Sequence, residues 1–175
     1  SSDLASHIHP FMAQHTRGET ARVAARRGGS VALESFREKI SFETKANKTD
    51  VVSAVDREAQ RTVVETIRER FPDDAVIAEE DDATTTIPDS GAAWIIDPID
   101  GTSNYLRGLR SWATSVAAVV DGTPVAAVSV FPALEDIYRV GPDGAFGNGQ
   151  PLSVSDRTDP ETLVVAPMLW WDHDR

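Results

Sequence analysis

The richest chemistry in the 175-residue chain lies in one run, Trp94-Ile95-Ile96-Asp97-Pro98-Ile99-Asp100-Gly101-Thr102-Ser103-Asn104-Tyr105. Asp97 and Asp100 close an apolar, strand-like stretch with Pro98 fixing the backbone between them, so a turn there would aim both carboxylates at one cation. Their oxygens are hard ligands with no Cys or His beside them, which favours Mg2+, Mn2+ or Ca2+ over zinc. Gly101-Thr102-Ser103 then predicts a helix start, whose free backbone N–H groups suit a phosphate oxygen. Metal and phosphate would meet at one point. A second acidic run, Glu79-Glu80-Asp81-Asp82, also follows an apolar stretch and can add a ligand if the two strands are neighbours.

Those residues need a frame. Residues 75–78 and 94–96 read as short buried strands that run into the acids, with a polar loop over 81–91 between them. Upstream, Val55, Ala59, Val63, Ile67 and Phe71 recur every fourth residue. They predict an amphipathic helix that Ser53 caps, with Asp56 three positions on, and that Pro72 closes. Residues 40–45 and 51–55 read as short strands around a polar turn at 46–50. From Asp3 to Arg27 the spacing of Leu4, Ile8, Phe11, Met12, Val23 and Ala24 predicts an interrupted or bent helix, stopped at Gly28-Gly29, with a second helix from Ser30 to about Lys39. Downstream, 115–120 and 125–131 flank Asp121-Gly122-Thr123-Pro124 as a hairpin, and 137–140 adds a strand. Residues 141–149 are turn-rich, and 152–154 and 163–166 are further candidate strands.

Composition narrows the class. With 41% hydrophobic residues, 175 residues suffice for one domain with a real core. There is no cysteine, which excludes a disulfide framework, a thiolate nucleophile and Cys-based metal sites. A formal net charge of −11 repels phosphate backbones, so nucleic-acid binding is disfavoured. The start of the chain lacks the basic-then-apolar order of a signal peptide, and no apolar run approaches the roughly 18 residues of a membrane span. A soluble cytoplasmic protein that does not bind membranes is the expectation. Lysines are confined to Lys39, Lys45 and Lys48, a Lys-poor acidic composition that suits a high-salt habitat, for which a melting temperature rising with salt is the check.

Three motifs in register give the chain a resemblance. Asp97-Pro98-Ile99-Asp100-Gly101-Thr102, the preceding Ala78-Glu79-Glu80, and Asp50-Val51-Val52-Ser53-Ala54-Val55-Asp56 resemble, in the same order, the inositol monophosphatase family of Mg2+-dependent, lithium-sensitive phosphatases. Gly144-Ala145-Phe146-Gly147-Asn148-Gly149 resembles a further family turn, so the likeness runs from about Lys45 to Ser155. It implies an α+β fold, a layered α/β/α sandwich with a largely antiparallel sheet. It also implies Mg2+ held by Glu79, Asp97, Asp100 and the Ile99 carbonyl, two or three ions per complete site, with Asp97 bridging two of them and Mn2+ as a substitute. Asp56 and Thr102 would orient and deprotonate the attacking water, and the N–H groups of Gly101 and Thr102 would hold the phosphate. Lys45 falls where the family often has a basic residue near the metal, and Ser103 is a further candidate. Fructose-1,6-bisphosphatase-like members belong to the same family, and homodimers are frequent in it.

Family members usually continue for about another hundred residues with a further ligand in a Trp-Asp motif. Trp171-Asp172 is not read as that motif, because it follows 163–166 too closely and lacks the small-residue helix start. The expectation is therefore one domain over 1–175, matching the N-terminal α+β portion of the fold plus the start of the C-terminal portion, the remainder missing. The expected function is Mg2+-dependent hydrolysis of inositol monophosphate, fructose 1,6-bisphosphate or another small sugar or cyclitol phosphate. The alternative is a truncated, non-catalytic metal- and phosphate-binding module or assembly subunit.

Several residues have plainer readings beside these. Asp56 could simply complete a capping box, Lys45 could be a surface lysine, and Glu80-Asp81-Asp82 could be a solvated run. His7, His9, His15 and His173 show no metal-ligand spacing, and Arg17, Arg22, Arg26 and Arg27 read as ordinary helix solvation. Trp112, Trp170 and Trp171 read as core or interface.

Overall fold

A computed structural model describes residues 3–37, 48–79 and 86–164. The chain order is α1 (Asp3–Ser35), α2 (Lys48–Arg68), β1 (Ala75–Ala78), β2 (Ala92–Asp100), α3 (Thr102–Leu106), β3 (Ala113–Val120), β4 (Thr123–Phe131), β5 (Asp136–Gly141), β6 (Gly144–Gly147) and β7 (Gln150–Pro151), followed by a 3-10 turn at Pro160–Thr162. The seven strands form one sheet in sequence order. β1 runs parallel to β2, and every later pairing is antiparallel, so the fold is α+β with a largely antiparallel sheet, as expected.

The core lies between this sheet and the two long helices. Ala78, Trp94, Ile96, Val116, Ala118, Val128 and Val130 point to one face and meet Ala21, Ala24, Ala25, Val63 and Ile67. On α2 the expected four-residue repeat holds, with Ala59, Val63 and Ile67 fully buried. On α1 the buried positions Ala21, Ala24, Ala25, Gly28, Gly29 and Ala32 are all small, which lets that helix lie close against both α2 and the sheet. On the opposite sheet face Ile95, Ala117 and Ala127 are half-buried.

Four expectations are corrected. The N-terminal helix neither stops nor restarts at Gly28-Gly29, because α1 is continuous from Asp3 to Ser35. These glycines serve close packing: a Cβ on Gly28 would overlap the Val63 Cγ2 methyl, and one on Gly29 would stand 2.8 Å from Pro132 Cγ. Residues 51–55 are not a strand, and Ser53 is not at the helix start, since α2 already begins at Lys48. Strand β2 does not end at Ile96 but runs on through Asp97 to Asp100, with a register shift between those two residues. Residues 152–154 are not a strand: Pro151 ends β7, and Leu152 and Val154 are exposed.

The hairpins fall where the turn residues placed them. Asp121 and Gly122 both have positive φ, 49° and 72°, the two-residue turn that suits the twist of β3 and β4. The Trp112 side chain is core, as expected, at 1% exposure. Three of the four arginines of α1 are ion-paired: Arg17 with Asp74, Arg22 with Glu19 and Arg27 with Glu69. Lys45, the expected strand at 40–45, Glu80-Asp81-Asp82, residues 165 and 166 of the expected last strand, and Trp170-Trp171-Asp172 lie outside the described residues. No helix among the described residues is long and apolar enough to cross a membrane.

Candidate active site

The acidic corner is built where β1 and β2 run side by side. Ala78 is paired with Ile96, which sets Glu79 level with Asp97 on the neighbouring strand, and the Glu79 N–H donates to the Ile96 carbonyl at 3.2 Å. Two parallel strands thus deliver two carboxylates to one edge of the sheet.

Asp97 is the electrostatic centre. Burial pushes its carboxyl up to about 7, and the Glu79 carboxylate, which also shares a hydrogen bond with it, and the charges of Asp100 and Asp56 push the same way. Its Oδ1 is buried with no hydrogen-bond partner. Three acids from different parts of the chain thus act on Asp97: Asp56 from α2, Glu79 after β1 and Asp100 from the end of β2. A half-buried Asp97 with an orphaned oxygen and like charges around it suits a divalent cation, which would replace that repulsion by attraction. Among the described residues no three His, Cys, Asp or Glu side chains are yet grouped so that they could hold a metal ion.

The backbone between Asp97 and Asp100 is held from below. The Pro98 carbonyl accepts from the buried Thr114 hydroxyl at 2.7 Å, and the Ile99 side chain is buried against Ala59, Tyr105 and Trp112. With those two residues fixed, the register shift between Asp97 and Asp100 re-aims the second carboxylate, leaving Asp100 exposed at the strand end. The Thr102 hydroxyl donates to the Ile99 carbonyl at 3.0 Å. Gly101 turns the chain from β2 into α3 with φ 87°, and a Cβ there would meet the Ser111 carbonyl at 3.2 Å. That position requires glycine for both reasons.

Asp56, Glu79, Asp97, Ile99, Asp100, Gly101 and Thr102 thus gather at one corner, whereas Ser103 is exposed on α3 and its carbonyl accepts from Arg107. Reasoning from sequence missed the supports of the corner: Thr114, Asn104, whose amide donates to the Ser111 carbonyl at 2.7 Å, and Tyr105, whose hydroxyl donates to the Ala32 carbonyl at 2.8 Å. A threonine inside the apolar run of β3 was the available signal for the first. Nothing local marks the others, because their partners lie elsewhere in the chain or beyond a turn.

Fold and corner together define an α+β protein with a multi-carboxylate site at the edge of a mainly antiparallel sheet. Residues 14–175 match the model of the inositol monophosphatase family, and the chain belongs to that family. It is 40% identical over 125 residues to a fructose-1,6-bisphosphatase/inositol-1-monophosphatase of Thermotoga maritima, covering 71% of this chain and 47% of that protein. A histidinol-phosphatase of Chlorobaculum parvum is 36% identical over 133 residues, 75% of this chain and 50% of its own. The solved inositol monophosphatase of Anabaena superposes with a TM-score of 0.68 at 28% identity, covering 82% of this chain and 51% of that one. The chain spans about half the length of these relatives.

Proposed function

We propose that the acidic corner is the metal-binding half of a phosphatase site, used to hydrolyse a small phosphate monoester with Mg2+. The observation that carries this reading is Asp97, half-buried, with an orphaned oxygen and a carboxyl raised to about 7 by burial first and then by three neighbouring acids. Glu79, Asp97, Asp100 and the Ile99 carbonyl would hold Mg2+, or Mn2+ in its place. A cation bound there would neutralise the phosphate and make a water easier to deprotonate.

The chain's own residues do the rest. Because the Thr102 hydroxyl donates its proton to the Ile99 carbonyl, its oxygen is left free to accept one from the attacking water. Asp56 lies on the buried side of the corner and receives the proton that this water loses. Gly101 and Thr102 N–H groups hold the phosphate oxygens, Lys45 adds positive charge, and Ser103 is a further contact. The water oxygen forms a bond to phosphorus as the ester P–O bond breaks, and the leaving alkoxide takes up a proton. Inositol monophosphate and fructose 1,6-bisphosphate are the first substrates to test, followed by histidinol phosphate and nucleotide 3′-phosphates. A cytoplasmic homodimer is the assembly we infer.

One observation favours a second reading, a metal- and phosphate-binding module or assembly subunit without turnover: among the described residues no three His, Cys, Asp or Glu side chains are grouped so that they could hold a metal ion, so the site is incomplete. Phosphate release from a panel of those esters, with and without Mg2+ and Li+, separates the two. Release that needs Mg2+, is suppressed by Li+ and is lost in Asp97→Asn supports the phosphatase. Mg2+ binding with no release from any ester favours the module, and neither binding nor release overturns both.

A further inference from the structure

Arg37 is the last residue described before position 48, and its backbone is strained: φ is 61°, in the left-handed region that non-glycine residues rarely occupy. Three other non-glycine residues share a positive φ, Asp121, Glu135 and Asn148, and each sits in a turn between consecutive strands. Arg37 instead ends a helix, at a position where glycine is the usual choice.

The side chain accounts for the arginine. Its Nε and Nη2 both donate to the Gly108 carbonyl, at 2.8 and 2.6 Å, and its guanidinium lies 5.1 Å from the centre of the Phe36 ring. Gly108 ends the turn that follows α3, so the two bonds cross 71 residues of chain to tie the last turn of α1 to α3. A second tie runs the other way, from the Tyr105 hydroxyl on α3 to the Ala32 carbonyl on α1 at 2.8 Å. Between the two, the rings of Phe36, Tyr105 and Trp112 stand 5.0 to 5.4 Å apart.

We propose that Arg37 is a positioning residue: its clamp on Gly108, with the Tyr105 bond, fixes α3 and thereby the placement of Asp100 and Thr102 relative to the acids of β1 and α2. This rests on the functional reading above. Arg37 touches none of those groups itself. It acts through α3, whose first residue, Thr102, holds the Ile99 carbonyl, and whose entry at Gly101 follows directly on Asp100. Both ties act at the C-terminal end of this five-residue helix, at Tyr105 and at Gly108 just beyond it, and hold α3 against the last turn of α1.

The test uses Arg37→Gly, Arg37→Lys and Tyr105→Phe, with amide hydrogen exchange, Mg2+ titration calorimetry and thermal unfolding on each. Glycine relieves the strained φ, so Arg37→Gly is expected to unfold near the parent temperature while its amides at 101–108 exchange roughly tenfold faster. Mg2+ affinity is expected to fall about tenfold, as for other residues that orient a ligand set from behind. Arg37→Lys, which keeps the charge but loses the two-bond fork, should fall between the two, and Tyr105→Phe should loosen the same amides. Unchanged exchange at 101–108 in Arg37→Gly would overturn the proposal. Faster exchange spread evenly over α1, α2 and β3 with a lower unfolding temperature would overturn it too, since that marks a merely structural contact. Failure of the parent chain to bind Mg2+ would overturn the functional reading instead, and the exchange data judge the clamp independently.

Discussion

Glu79 and Asp97 stand level on paired parallel strands, the Glu79 N–H donating to the carbonyl of Ile96, the residue before Asp97, at 3.2 Å. The Asp97 carboxyl is pushed up to about 7 by burial first and by the surrounding charges of Glu79, Asp100 and Asp56. Neighbouring strands have been used to place like charges together, an arrangement that costs stability and makes sense as preparation for a cation.

The sign of the pH dependence follows. Unfolded, Asp97 titrates near its ordinary value of 3.8; folded, it keeps its proton to about 7. Between those values the native state binds more protons than the unfolded one, so this residue's contribution is fully present below about pH 4 and is lost as pH rises towards 7. Without metal, the Asp97→Asn variant should lose less stability than the parent between pH 4.5 and 7.5, measured by thermal unfolding. With Mg2+ the parent should regain stability at the upper end, where the carboxylates are free to bind it.

Close packing of α1 predicts two glycine substitutions of different consequence. Gly28→Ala drives a methyl into Val63 and should destabilise by about 1–3 kcal/mol. Gly18→Ala places its methyl 3.5 Å from Ala126 Cβ, an ordinary contact, and should stabilise by up to ~1 kcal/mol through helix propensity. Denaturant unfolding of the two variants side by side checks the pair.

Asp74 links three elements. Its Oδ2 accepts from Arg17 at 2.8 Å and from Trp94 Nε1 at 2.9 Å, and the Arg17 and Asp74 side chains are only 13% and 16% exposed. Asp74→Ala leaves a largely buried guanidinium and an indole N–H without their acceptor and should cost about 2–4 kcal/mol. The double variant with Arg17→Met should recover part of that loss, because no charge is then left unpaired, and equilibrium unfolding of the set measures the recovery.

How much of this was legible in the sequence depends on the range of the contacts. Helix α2, the β3–β4 hairpin and the strands leading into the acids were readable because four-residue spacing, Asp121-Gly122 and apolar runs are local signals. Gly28-Gly29 was misread because a glycine needed for close approach to Val63 and Pro132 looks, in sequence, the same as one that ends a helix. The convergence of Glu79 with Asp97 required only that two strands be neighbours, and the motif order supported it. The supports from Arg37, Asn104, Tyr105 and Thr114 were not legible, because each bonds to a main-chain carbonyl, which carries no residue identity.

The central claim is that these acids form a cation site, and Mg2+ titration calorimetry at pH 7.5 tests it most directly. Saturable binding in the parent, weakened at least about tenfold in Asp97→Asn and in Glu79→Gln, is the predicted result. Absence of saturable binding in the parent, or variants that bind Mg2+ as tightly as the parent, would contradict it.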